Sequence, residues 1–83
     1  MERILSYQRD VAMRQIDDLE RHVTHLDNEK EFWISQRDFL HEVPGLSAER
    51  LEIVNMQIHS RCILIDAYRE LIHLHRDRIT FTL

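Results

Sequence analysis

The chain contains one proline and one glycine, and they are adjacent, at Pro44-Gly45. Proline removes a backbone donor and restrains the residue before it, while glycine admits the left-handed backbone on which helices end. With no other breaker in 83 residues, the chain has one natural corner and a long uninterrupted run on either side. Those runs predict an all-α fold, a long antiparallel helical hairpin. Helix 1 is expected over about 2–42, helix 2 over about 48–78 and a tail over 79–83, all in one helical-hairpin domain spanning 1–83.

The apolar periodicity agrees. Leu5, Ala12, Leu19, Leu26, Trp33 and Leu40 recur at heptad spacing, with Ile16 and Val23 in the alternating position before it slips to Lys30 and Arg37. A three–four spacing held this long belongs to a helix with a packing seam, not to a strand. After the corner, Ser47 stands as an N-cap, Glu49 and Glu52 lie near the positive helix end, and Leu46 and Leu51 have the spacing of a hydrophobic staple. The tail Ile79-Thr80-Phe81-Thr82-Leu83 changes period to two and is rich in β-branched residues. It is expected to fray or fold back, or to dock on a partner as an extended segment.

Helix 2 raises the question of partners. Its polar arc is narrow, comprising Glu52, Asn55, His59, Asp66, Glu70, His73 and Asp77. Ile53, Met56, Ile63, Leu64, Ala67, Leu71 and Leu74 occupy much of the remainder. One neighbouring helix covers about a third of a helix surface, so helix 1 leaves part of this uncovered. Self-association into a four-helix bundle dimer, or a larger helical oligomer, is the simplest cover. The residues expected to hold it are Leu19, Leu26, Trp33, Val54, Ile58, Ile65, Tyr68 and Ile72.

Composition narrows the function classes. A net charge of −4 argues against a general polyanion binder. The charge is uneven: residues 1–16 with 68–83 carry six basic groups against four acids, and 17–67 carry five against eleven. The open end is therefore mildly basic and the connected half acidic. The lone Cys62 offers neither an intrachain disulfide nor a paired thiol site, which fits a reducing compartment. No apolar run approaches the roughly 20 residues of a membrane span, so a cytoplasmic protein without a membrane partner is expected.

Three constellations could carry chemistry. Asp18, His22, His25 and Glu29 lie on successive turns of one face of helix 1, donors of the kind helical bundles use for metal. The same residues could form a polar layer in a subunit interface opposite Arg61 and Tyr68, or a solvated face, and no cofactor is expected. Arg3, Arg9, His73, His75, Arg76 and Arg78 gather near the open end as a candidate site for an anionic ligand, such as a nucleotide or RNA backbone. Glu2, Asp10, Glu70 and Asp77 are interleaved with them and dilute that field. Phe32, Trp33 and Phe39 cluster next to the corner, facing Ile53, Val54 and Met56, and at helical spacing are expected to be core. Phe32 and Phe39, off the Trp33 line, together with Phe81 and Leu83 are the candidate surface for a protein partner.

No catalytic arrangement stands out. A single glycine excludes Gly-rich phosphate loops, and no nucleophile has a recognisable partner. Met13-Arg14-Gln15-Ile16-Asp17-Asp18-Leu19 resembles the opening of the helical chorismate mutases, small dimeric enzymes. Beyond it, Lys30 and Arg37 fall at core positions, and Glu31 and Glu42 stand where that family's basic groups would be. In shape alone the hairpin is similar to plasmid copy-number regulators of the Rop type and to small type III secretion chaperones. The residues thus point to a non-enzymatic module that pairs with itself and with another protein, the anionic-ligand binder being the alternative.

Overall fold

The structure, a computed structural model, describes the backbone of residues 2–43, 45 and 48–82, and side chains within 6–43, 45 and 48–79. Two helices make up the described chain: α1, Glu2–His41, and α2, Ala48–Thr82. They pack against each other along their length in a rod of 67 × 14 × 13 Å. A globule of this length would have a radius of gyration near 12 Å, whereas the hairpin's is 18.9 Å. The rod has a seam and no enclosed core.

The end of α1 tightens before the corner. Glu42 N–H donates to the Phe39 carbonyl at 3.1 Å, and Val43 N–H to the Leu40 carbonyl at 3.2 Å. These three-residue bonds satisfy carbonyls that an α-helix leaves open at its end. Gly45 then takes φ of +81°, where a side chain would strain the backbone. The expected cap at Ser47 and the staple partner Leu46 lie outside the described residues.

The seam follows the heptads. Ile16, Val54, Ile65 and Ile72 are buried, Ile65 to 3% exposure. Leu19, Leu26, Trp33, Leu40, Ile58 and Tyr68 are half-buried around them. Lys30 and Arg37, at heptad positions, are half-buried and pair with acids on their own helix. Lys30 Nζ lies 3.6 Å from Asp27 Oδ1, and Arg37 Nε 3.8 Å from Asp38 Oδ1.

One expectation changes. The tail is not an extended segment: α2 continues to Thr82. Ile79 is half-buried one heptad beyond Ile72, so seam packing overrides the β-propensity of the last residues. The side chains of Phe81 and Leu83 lie outside the described set. The eight residues expected to hold an oligomer line the seam between α1 and α2 in the single chain, Val54, Ile65 and Ile72 buried there and the other five half-buried. The short connection keeps α1 beside α2, so the longest apolar lines of each helix cover each other first.

Candidate functional site

Polar rungs flank the apolar seam on both sides, each pair repeating at heptad spacing on both helices. On one side, Arg61 Nε donates to Glu29 Oε2 at 3.0 Å. One heptad along, the His22 ring stacks on Tyr68, with centroids 5.6 Å apart and planes 13° from parallel. On the other side, Arg69 approaches Asp27 at 3.7 Å, and Arg76 bonds Glu20 one heptad further on. Antiparallel helices with a coiled-coil repeat return to the same relative position every seven residues. The rungs therefore fix one register.

The stripe on helix 1 falls largely into these rungs. Glu29 is shared between Arg61 and His25, whose Nε2 lies 2.9 Å from Oε1. Asp18 faces Arg21 at 3.5 Å, three residues further along its own helix. Among the described residues no three His, Cys, Asp or Glu side chains converge as a metal site would require. Arg61 and Tyr68 do stand opposite the stripe, but in the same chain.

The basic end divides. Arg9, His75 and Arg78 line one groove with Tyr7, Val11 and Ile79, of about 560 Å³. Arg76 and His73 line a different groove with Glu20, Val23, Thr24, Arg69 and Ile72. His73 Nε2 there lies 3.5 Å from Asp77 Oδ2, so acids answer the positive groups. Arg3 falls outside the described side chains.

What remains uncovered is apolar. Phe32 and Phe39 are 55% and 61% exposed, although the Phe32 and Trp33 rings pack nearly perpendicular, their centroids 5.4 Å apart. On α2, Ile53, Met56, Ile63, Leu64, Leu71 and Leu74 are all exposed. At about 100° per residue these six fall within an arc of about 100°, its centre about 130° from the buried Val54–Ile65–Ile72 line. The periodicity sets these six apart as helix 2's excess apolar residues, but the residues expected to hold an oligomer are those of the seam. The burial pattern shows which set α1 covers.

No helix among the described residues is long and apolar enough to cross a membrane. No protein-family model, curated protein or solved structure matches the chain.

Proposed function

We propose that the chain is a small non-enzymatic protein-interaction module, which self-associates as a helical bundle and binds another protein as an adaptor, chaperone or inhibitor. The observation that carries this reading is the second apolar stripe on α2, exposed along a helix whose seam is already occupied. Monomeric soluble proteins seldom leave so long an apolar strip in water, and rimmed strips of this kind mark interfaces. Self-association covers the α2 stripe. Phe32 and Phe39, on α1 near the corner, then supply aromatic anchors for a partner of different sequence.

The test is solution mass by light scattering over a range of concentrations, with circular dichroism alongside. The chain is expected to be helical and at least dimeric. Leu71→Glu, on the exposed stripe, is expected to reduce the mass to that of one chain. A helical monomer at every concentration would sink the self-association reading.

A second reading has its own observation. The groove of Tyr7, Val11 and Ile79 carries Arg9, His75 and Arg78 on its walls, a combination suited to an anionic ligand with an apolar part, such as a nucleotide. Binding through it would weaken steeply with salt and fall when Arg9 and Arg78 are changed to Gln. Salt-insensitive capture of a protein would favour the first reading.

A further inference from the structure

We infer that the second copy docks on α2 antiparallel, with a two-fold axis passing between Ile63 and Leu64. This rests on the self-association proposed above and specifies its geometry.

The argument begins with the order of residues along the exposed stripe. About the midpoint between Ile63 and Leu64, the residues equidistant in sequence match in kind. Ile53 corresponds to Leu74, and Met56 to Leu71, all large and exposed. Ser60 corresponds to Ala67, both small and both exposed. An antiparallel pair of identical helices brings each residue level with its equidistant counterpart in the other copy. Ile63 and Leu64 flank the axis at the two edges of the arc; the small pair lies about one turn out on its mid-line, where the backbones can approach, and large side chains meet large ones beyond it. On a regular helix, counterparts about this midpoint also sit symmetrically about the middle of the arc. One straight stripe therefore serves both copies.

Burial of Ser60 leaves no orphan. Its hydroxyl donates to the Met56 carbonyl of its own helix at 2.8 Å, so a second helix can cover it without stripping an unmet donor of water.

Charge selects the direction. Beyond the apolar pairs, the next correspondence on the stripe is Glu49 with Arg78. Antiparallel docking sets Glu49 of each copy beside Arg78 of the other, twice by symmetry. A parallel dimer would set Glu49 beside Glu49 and Arg78 beside Arg78. The ends of the second helix repeat the preference: residues 68–83 carry a net +1 (three Arg against Glu70 and Asp77) and their counterparts 44–59 a net −1 (Arg50 against Glu49 and Glu52). Antiparallel docking lays the basic end of one copy along the acidic end of the other. The Asp18–His25 stripe and the exposed Phe32 and Phe39 belong to α1 and stay outside this contact.

Disulfide trapping in a Cys62→Ser background tests the arrangement. Ser60→Cys and Ala67→Cys are made in separate chains, mixed and oxidised. The expected result is a linked pair containing one of each, with neither variant linking to itself. In the antiparallel dimer like residues at position 60 lie about 10 Å apart along the axis, too far for a disulfide. Self-linking of Ser60→Cys, or no linking in a chain whose mass is dimeric, would overturn the antiparallel assignment and leave self-association standing. A monomeric mass would remove both. As a second readout, Glu49→Arg is expected to raise the dimer dissociation constant about tenfold, given two ion pairs of modest strength. Glu49→Arg with Arg78→Glu should restore it. An unchanged constant in the single variant would also overturn the proposal.

Discussion

Arg61 reaches across the hairpin to Glu29, its Nε donating to Oε2 at 3.0 Å, while its guanidinium lies 5.6 Å from the Trp33 ring centroid one turn further along α1. The same side chain also holds Gln57 on its own helix, through Oε1 at 2.6 Å and the backbone carbonyl at 3.1 Å. Replacing it by Met keeps most of the stem packing and removes the charge-assisted bonds. Arg61→Met is expected to lower stability by about 1–2 kcal/mol, measured by urea unfolding followed by circular dichroism. An unchanged midpoint would show that the rung adds nothing to the seam.

Ile65 is the most buried of the seam residues. Ile65→Ala is expected to cost about 2–4 kcal/mol, and Ile65→Asp, which buries an unpaired carboxylate, to abolish the fold. Loss of ellipticity in the Asp variant at all chain concentrations is the expected observation. A folded Asp variant of unchanged mass would place Ile65 away from any seam.

Phe39 should behave in the opposite way. It is exposed beside the corner, so Phe39→Gln is expected to shift stability by no more than about 0.5 kcal/mol. The same change should weaken capture of a protein partner if Phe32 and Phe39 are anchors. A large drop in the thermal midpoint would instead show that the ring is covered in the assembled form.

Gly45 tests the corner. Nothing lies within 4 Å of where a Cβ would stand, so only the backbone opposes a side chain. Gly45→Ala is expected to cost about 1–2 kcal/mol through its positive φ, read as a lower urea midpoint with the helix content of the folded state unchanged.

Zinc and chelator should leave the melting temperature where it is. Glu29 is engaged by Arg61 and His25, and Asp18 by Arg21, so a metal would have to displace existing partners before it could stabilise the fold. A rise of several degrees with zinc would reinstate the stripe as a metal centre.

Much of the fold is legible in the residues, because each helix needs only local information. Adjacent Pro44 and Gly45 mark the corner, and the heptad from Leu5 to Leu40 marks the seam of α1. The tail misleads because β-propensity at Thr80 and Thr82 is a weak local preference, while Ile79 continues the line of Ile65 and Ile72 and is held by packing. The site was harder to read. Helix 2 is apolar on two stripes, and periodicity alone does not say which one α1 occupies. Nor does it say that Arg61 meets Glu29 or that Tyr68 meets His22, since those pairings depend on the register of one helix against the other.

The sequence by itself determined two long helices, one corner between them, and an apolar surface larger than one neighbour can cover. Spacing and backbone chemistry act along the chain and need no partner to be read. Only the tertiary structure decided that Val54, Ile65 and Ile72 face α1 while Ile53, Ile63 and Leu71 face outward. That choice follows from how two particular helices come into register across space. The polar rungs on either side of the seam hold that register, and the outer stripe is what it leaves uncovered.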